Sequence, residues 1–174
     1  LGQISCVVNK KILFPKSYPY TSSTTKILRD NFKNLSEEVE SFIEIRNDDL
    51  IIDIGSNDGN LLSFFKKKMR VLGITPEEIG KLAIKRGIPT ILDYFNDTSR
   101  KMIIKKYGKA KVITATNVFA HIDDVNNLIS NIKKCLYKDG IFISESHYIS
   151  KVIAGVQYDT IYHEHMRYYS LTSL

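Results

Sequence analysis

From residue 50 onward, short apolar runs alternate with stretches of helical periodicity. The first run, Leu50–Ile54, is apolar except for Asp53 and is followed at once by Gly55. This pattern is typical of a strand in a parallel sheet that helices cover on both faces. Further strands are predicted at residues 70–74, 88–92, 112–116 and 141–145. The alternation therefore predicts an α/β fold, a doubly wound parallel sheet with right-handed crossovers.

Helices are predicted between these strands, at about residues 60–69, 77–86, 98–107 and 125–136. The last of them has the clearest apolar stripe. Aspartates precede it and lysines stand near its end, an arrangement that complements the helix dipole. Cys135 lies on the stripe, and we interpret it as a small buried hydrophobic residue. A turn at residues 137–140 is expected to lead into the fifth strand.

The first part of the chain has a different character. We predict that residues 1–47 form an extended and helical segment that packs on a core of residues 48–174. Pro15 and Pro19 favour extended backbone, because the residue before a proline avoids the helical region. Two helices are expected to follow, one that begins at one of the possible caps in residues 21–24 and runs towards residue 32, and one capped by Ser36.

Composition and charge exclude several classes of protein. No run of about 18 apolar residues is present, so a membrane-spanning helix is not expected. The two cysteines, Cys6 and Cys135, are too few for a disulfide scaffold. The 25 basic residues exceed the 19 acidic residues by six, but they are scattered, and we interpret them as solvated helix ends. These features favour a cytoplasmic domain without membrane or nucleic-acid partners.

A glycine-containing loop, residues 53–59, joins the first predicted strand to its helix. Its glycines allow close approach of the backbone to a ligand, beside free amides at a helix N-terminus. Dinucleotide sites usually have the spacing G-x-G-x-x-G, whereas Gly55 and Gly59 are separated by three residues. Asp53 and Asp58 would repel a pyrophosphate but could hold an ammonium group. The loop therefore favours a ligand with an amino group over the NAD of an oxidoreductase.

In its strand–helix setting, this loop resembles motif I of the class I S-adenosylmethionine-dependent methyltransferases. The resemblance implies S-adenosylmethionine as the cofactor and S-adenosylhomocysteine as its product. The loop residues expected to bind it are Asp53, Gly55, Asn57 and Gly59. In that fold an acidic residue usually ends the second strand and binds the ribose. Thr75 stands at that place here, so Thr75 itself, Glu77 or Glu78 would have to replace the acid.

The same resemblance implies an adenine-binding wall after the third strand. Asp93 could accept a hydrogen bond from the exocyclic amine, and Tyr94 could cover the ring. A plain surface role for Asp93 is the alternative. Asn117, after the fourth strand, is also assigned to the cofactor site.

A second chemically dense segment, Tyr158–His165, has two histidines around a glutamate. A His-x-His pair alone supplies too few ligands for a metal, and structural polar residues are another interpretation. Together with residues 116–124, 169–172 and 14–23, this segment resembles the sugar C-methyltransferases. These enzymes act on nucleotide-linked 4-keto-6-deoxy sugars, at the carbon next to the ketone.

This second resemblance implies a role for each side chain. The base is placed at His165, and Glu164 supports the charge and hydrogen bonding of the site. Tyr162 and His121 are expected to contact the reacting sugar. Tyr20 is expected to close the site, with Tyr18 as the second choice.

The resemblance also implies a larger protein. Members of that family have an N-terminal zinc-binding domain and a C-terminal substrate-binding domain on either side of the methyltransferase domain. We therefore expect this chain to be the central portion, ending before the last strands of the sheet. Zinc is expected only in the missing N-terminal region, and no metal is assigned to this chain.

Three other functions stay open from the sequence. The same fold serves RNA and DNA methyltransferases, but methylation of base amino groups typically shows an Asn/Asp-Pro-Pro-aromatic motif after the fourth strand. Residues 116–119 contain no proline. A methyltransferase acting on another small molecule and a non-catalytic binding module are the remaining alternatives. The expected partner is a nucleotide sugar, and the oligomeric state is not predicted.

Overall fold

A five-stranded parallel sheet forms the centre of the computed structural model, which describes residues 1–4, 8–13, 15 and 20–174. The strands are β1 (Gly2–Gln3), β2 (Leu50–Ile54), β3 (Arg70–Ile74), β4 (Thr90–Ile91), β5 (Ala110–Thr116), β6 (Leu136–Glu145) and β7 (Arg167–Tyr168). Strands β2 to β6 lie in the order β4-β3-β2-β5-β6, while β1 pairs antiparallel with β7. The predicted doubly wound α/β fold is confirmed.

Seven α-helices accompany the strands in the described part of the chain. They are α1 (Lys10–Leu13), α2 (Lys26–Phe42), α3 (Asn60–Phe65), α4 (Gly80–Lys85), α5 (Asp97–Tyr107), α6 (Val125–Cys135) and α7 (Ile149–Ala154). Short 3₁₀ turns occupy Phe119–His121, Tyr158–Thr160 and Leu171–Ser173. None of the helices in the described ranges is both long and apolar enough to cross a lipid bilayer.

The sheet is buried on both faces, as the apolar runs predict. On one face Ile52 and Ile113 belong to the same buried cluster as Ile132 of α6. On the other face Ile51 shares a cluster with Phe65 of α3. Strand β2 pairs with both β3 and β5. The strands that follow β2 in the chain are therefore added first on one side of it and then on the other. In open α/β sheets ligands bind beyond the carboxyl ends of the strands at such a point.

The N-terminal segment contains one long helix instead of the two predicted ones. Helix α2 runs without a break from Lys26, capped by the Thr25 hydroxyl, which accepts from the Leu28 amide at 3.4 Å. Ser36 does not cap a second helix. Its hydroxyl donates to the Lys33 carbonyl at 2.7 Å, which satisfies it inside the helix. Buried residues of α2 pack into the same cluster as α3, so α2 covers one face of the sheet.

Several predicted boundaries shift. The helix predicted at 77–86 begins only at Gly80, and the third sheet strand is reduced to two residues. The turn predicted at 137–140 is part of β6, which follows α6 directly. An irregularity opposite Ala110 and Val112 in β5 accommodates the additional residues. Of the sequence features discussed above, Cys6, Phe14, Tyr18 and Pro19 lie outside the described residues.

Candidate active site

A cavity of about 750 Å³ lies beyond the carboxyl ends of β2, β3 and β5. It is lined by eleven of the residues that the sequence places in the cofactor and catalytic sites. These are Tyr20, Asp53, Gly55, Asn57, Asp93, Tyr94, Asn117, His121, Tyr162, Glu164 and His165. Gly59 and Thr75 do not line it. The fold therefore brings together two segments that are more than a hundred residues apart in the sequence.

Gly55 sits where the chain turns from β2 over the end of β3. Its φ is +75°, and its amide donates to the Ile74 carbonyl at 2.8 Å. A Cβ added here would lie 2.4 Å from the Val118 side chain. Glycine is thus required both by the left-handed backbone and by the close approach of the loop that follows β5.

Gly59 is required for close packing beneath the loop. It precedes α3 with a φ of +77°, and a Cβ there would lie 2.9 Å from the Ala83 Cβ and 2.8 Å from the Ile88 side chain. These neighbours belong to the core between α3 and α4, away from the cavity. Gly59 therefore allows the packing of α3 on α4, and its place in the cofactor site stays a prediction.

Asp53 is a buried carboxyl group in the wall of the cavity, only 2% exposed. Burial raises its pKa to about 7, although the Thr114 hydroxyl, which donates to it at 2.7 Å, acts in the opposite direction. A neighbouring cation would favour the ionised form. The group is therefore suited to a ligand with a positive charge.

The carboxylate oxygens of Asp58, by contrast, already accept hydrogen bonds from other residues of the protein. It is completely buried and does not line the cavity. Ser22 donates to one carboxylate oxygen at 2.5 Å, and Arg86 donates to the other at 2.8 Å. Burial alone would raise the pKa of Asp58, but hydrogen bonds from Ser22, Ser23 and Arg86 hold it below its usual value. The expectation that Asp58 could hold a ligand's ammonium is therefore wrong, since its oxygens fasten the N-terminal segment to the loop.

Asn57 fastens the same segment from the next position. Its side-chain oxygen accepts from the Ser22 amide at 2.9 Å, and its Nδ2 donates to the Tyr20 carbonyl at 3.0 Å. Its φ of +48° turns the amide group towards that segment, a conformation that asparagine tolerates. Tyr20 is thereby held against the glycine loop and lines the cavity. Burial raises the pKa of Tyr20, and the charges of Asp58 and Glu145 raise it further.

Thr75, directly after β3, is 1% exposed and does not line the cavity. Its hydroxyl donates to the carboxylate of Glu77, and it is Glu77 that lines the cavity. Glu78 lies outside the cavity and pairs with Lys81 at 3.2 Å. Of the three residues considered for the missing acid, only Glu77 reaches the ligand space.

The wall after β4 contains Asp93 and Tyr94. The Asp93 carboxylate accepts from the Tyr94 amide at 2.7 Å, and the Tyr94 side chain is 37% exposed. Burial raises the pKa of the Tyr94 phenol, and the charges of Glu77 and Asp93 add to this rise. Two carboxylates and one aromatic ring thus stand together on this side of the cavity.

Asn117 takes part in a small polar network at the end of β5. It has a φ of +57°, and its Nδ2 donates to Glu145 at 2.9 Å. Asn31 of α2 donates to the other oxygen of Glu145 at 2.8 Å. The network connects α2, β5 and β6 beside the cavity, so Asn117 is held by its neighbours before any ligand binds.

His165 is the centre of an aromatic cluster in the cavity wall. Its ring centroid lies 4.8 Å from those of His121 and His147 and 4.4 Å from that of Tyr162. Its Nε2 is 3.1 Å from the Tyr162 hydroxyl, while its Nδ1 is buried without a hydrogen-bond partner in the described ranges. Burial lowers the pKa of His165 to about 4, and the charges of His121 and His147 contribute. The ring is therefore neutral at pH 7.

Backbone contacts hold this cluster in place. His121 Nδ1 lies 2.5 Å from the Glu164 carbonyl oxygen, and the Met166 amide donates to the Ala120 carbonyl at 2.8 Å. Arg167 donates to two carbonyls of the turn after β5, one of them that of Asp123 at 3.0 Å. The 3₁₀ turn after β5 and the segment before β7 thus form one unit. No three potential metal ligands within the described residues are arranged to hold a metal ion.

Sequence reasoning missed His147, which lines the cavity and contacts His165. Its position was a usable signal, because it follows the carboxyl end of the fifth sheet strand. Residues at these ends meet at one edge of a parallel sheet. The sequence also gave no reason to choose Glu77 over its neighbours.

Several known proteins of similar sequence or fold are named as methyltransferases. The family model described as "Methyltransferase domain" matches residues 26–174. The C-methyltransferase NovU of Streptomyces niveus is 31% identical over 170 residues, which is 97% of this chain. A SAM dependent methyltransferase from Archaeoglobus fulgidus superposes with a TM-score of 0.64 at 12% identity, covering 83% of this chain and 64% of its own. The plantazolicin methyltransferase BpumL, solved in complex with SAH, gives a TM-score of 0.57 at 16% identity and covers 76% and 52%.

The chain therefore belongs to the methyltransferase domain family, and its fold is that of the class I S-adenosylmethionine-dependent methyltransferases. Among proteins of known activity, it is similar to NovU, a C-methyltransferase, and it spans 40% of that protein's length.

Proposed function

We propose that this chain is the methyltransferase portion of an enzyme that uses S-adenosylmethionine to methylate carbon, next to the ketone of a nucleotide-linked keto-deoxy sugar. The observation that carries the proposal is the cluster of His165, Tyr162 and His121, which faces the same cavity as the glycine loop. Similarity to a protein named as a C-methyltransferase supports it.

Methylation at carbon determines what the site must do. An unactivated C–H bond is not a nucleophile, so a base must first remove the proton. A ketone on the neighbouring carbon permits this, provided that hydrogen-bond donors stabilise the enolate oxygen. His165, neutral at pH 7, is the base, the Tyr162 phenol beside it is a donor for the negative charge, and His121 contacts the sugar. Glu164 contributes to the charge of the site and Tyr20 closes it.

The Tyr162 hydroxyl lies at the nitrogen of His165 that would accept the proton. The substrate proton therefore reaches His165 in one of two ways, by displacement of this hydroxyl or through it. A Tyr162→Phe variant tests whether the phenol is needed at all, since it removes both the relay and the donor to the enolate. In both routes the proton ends on His165.

Other residues that line the cavity fit the proposed cofactor. Asp53 offers a buried carboxylate to an amino group, and Gly55 leaves room for close approach to the backbone. Tyr94 and Asp93 offer a ring face and an acceptor of the kind that adenine uses. When bound, S-adenosylmethionine supplies an electrophilic methyl group. The proposed substrate is a small nucleotide sugar and not a nucleic acid.

Proton release at Asp53 provides one test of cofactor placement. Its pKa of about 7 in the free protein means that it is partly protonated at neutral pH, and a cationic amino group favours the ionised form. The affinity for S-adenosylmethionine should therefore rise with pH up to about 7, by at most about tenfold per pH unit. Calorimetry in buffers of different ionisation enthalpy should detect the proton released. In Asp53→Asn both effects should vanish, whereas the exposed Asp139→Asn should keep them.

The Ser22–Asp58 hydrogen bond provides another test, because it holds the segment that carries Tyr20. Removal of a hydroxyl donor from a buried carboxylate costs about 1–3 kcal/mol. We expect Ser22→Ala to lower the rate of methyl transfer while affinity for S-adenosylhomocysteine changes little. The exposed Thr24→Ala is the matched control.

A double-mutant cycle decides whether Ser22 acts through Tyr20. If it does, Ser22→Ala should add little to the loss already caused by Tyr20→Phe. Additive losses would show that the Ser22–Asp58 contact does not act by positioning Tyr20.

The proposed function itself is tested by isotope exchange. A nucleoside diphosphate 4-keto-6-deoxyhexose, incubated with the protein in D₂O without S-adenosylmethionine, should exchange the hydrogen next to the ketone. Exchange is followed by proton NMR. Its absence, in a protein that binds both ligands, would contradict deprotonation at carbon.

A further inference from the structure

We propose that Glu77, held in position by Thr75, binds the ribose hydroxyls of S-adenosylmethionine, in place of an acid at the end of the second sheet strand. The inference rests on the cofactor half of the proposed function and is independent of the sugar substrate. Glu77 is thus a specificity-determining residue for the cofactor, and Thr75 is its positioning residue.

The location of Glu77 is the first argument. It lines the cavity, in the loop between β3 and α4, on the side occupied by Asp93 and Tyr94. The pKa of the Tyr94 phenol is raised mainly by burial and next by the charge of Glu77, so the two groups are near each other. A ligand whose adenine rests against Tyr94 has its ribose close by, because the two rings are joined by a single bond.

The orientation of Glu77 is the second argument. Thr75 is fixed as part of the sheet, since its amide donates to the Ile91 carbonyl at 3.0 Å. Its methyl group packs close to Gly80, where an added Cβ would lie 2.7 Å from the Thr75 Cγ2. The hydroxyl donates to one oxygen of the Glu77 carboxylate. A donor of fixed position therefore restricts the rotamers of a side chain that is otherwise flexible.

The chemistry of the two groups is the third argument. A ribose presents two adjacent hydroxyl donors, and a carboxylate is a strong acceptor with two oxygens. The neutral hydroxyl of Thr75 could not replace it, because it is buried and already engaged with Glu77. Glu78 is directed to Lys81 and does not line the cavity. Glu77, two residues after Thr75, thus takes the place of the acid that usually ends the second strand.

The experiment measures binding of S-adenosylhomocysteine and of its 2′-deoxy and 3′-deoxy analogues by calorimetry. In the unaltered protein we expect each missing hydroxyl to weaken binding by about tenfold or more, because a hydrogen bond to a charged acceptor is lost. In Glu77→Gln this penalty should shrink several-fold for at least one analogue. The ratio of affinities is measured within one variant, so it does not depend on the fraction of folded protein.

Variants of neighbouring residues complete the test. Thr75→Val keeps the buried shape but removes the donor, and we expect it to reduce in part the loss of affinity caused by each missing hydroxyl. Thr75→Ser keeps the donor and should show the full loss of affinity. Glu78→Gln should behave as the unaltered protein. If Glu77→Gln keeps the full penalty for both analogues, Glu77 does not bind the ribose and the inference is wrong. Failure of the sugar to exchange or accept a methyl group would leave this result unchanged, so the two proposals fail separately.

Discussion

We expect His165→Asn to lose exchange of the sugar hydrogen with solvent and to lose methyl transfer, while it still binds S-adenosylmethionine. Asparagine keeps some hydrogen-bonding capacity in the pocket but cannot accept a proton near neutral pH. Loss of a general base typically lowers a rate by about a hundredfold to ten-thousandfold. Exchange in D₂O without S-adenosylmethionine measures deprotonation alone, and calorimetry measures the retained binding.

His163→Asn is the matched control, because His163 belongs to the same segment but is exposed and does not line the cavity. It should exchange at the unaltered rate. If His165→Asn also exchanges at that rate, His165 is not the base, and His121 or the Tyr162 phenolate takes its place. A purely structural role for His165 would appear as a lower melting temperature with unchanged exchange in the folded fraction.

The pH profile of the same exchange follows from the pKa of about 4 at His165. The folded-state pKa is lowered, so the neutral, proton-accepting form persists as the pH falls from 7 to 5. Titration of His165 should therefore reduce exchange only as the pH approaches 4, and not near 6.5. The low pKa also makes the imidazole a weaker base, which increases the need for stabilisation of the enolate by neighbouring groups.

The second large effect concerns stability. We expect Gly59→Val to lower the free energy of unfolding by about 3 kcal/mol or more, because a β-branched residue is strained at a φ of +77° and its Cβ would overlap Ala83 and Ile88. For a chain of this size, the melting temperature should fall by roughly 10 °C. Thermal unfolding by circular dichroism measures this.

Gly87→Ala separates strain from overlap. Gly87 has a φ of +75°, but an added Cβ would meet only the end of the Lys66 side chain, at 3.9 Å. It should therefore show the cost of the left-handed backbone alone and be milder than Gly59→Ala. Equal destabilisation of the two alanine variants, or a Gly59→Val variant of unaltered stability, would contradict the packing role of Gly59.

The elements that sequence could predict are those that depend on burial. Strands β2 and β3 have their predicted bounds because an apolar run in the middle of a parallel sheet leaves little choice of register. The short edge strand β4 and the start of α4 were predicted less well, since few apolar residues define them. The sequence predicts two helices where the structure has the single helix α2, because serine is a common N-cap residue. In the structure the Ser36 hydroxyl donates to a carbonyl within the helix.

The candidate site likewise contains residues whose positions could be predicted from the sequence and residues whose contacts could not. Residues at the carboxyl ends of strands, such as Asp53 and Asn117, reach the cavity because the fold requires it. Hydrogen bonds between residues far apart in the sequence could not be predicted. Asp58 resembles a ligand-binding acid in the sequence, but its carboxylate accepts hydrogen bonds from Ser22 and Arg86. The same holds for Thr75, which occupies the usual position of the acid but only orients Glu77.

The central claim, methylation at carbon, is tested most directly by the position of the transferred methyl group. The protein is incubated with S-adenosylmethionine labelled with ¹³C in its methyl group and a nucleoside diphosphate 4-keto-6-deoxyhexose, and the product is examined by NMR. Our account predicts a labelled methyl carbon bonded to the ring carbon next to the ketone, and none in the His165→Asn variant. A label bonded to oxygen or nitrogen, or no transfer by protein that binds both ligands, would contradict it.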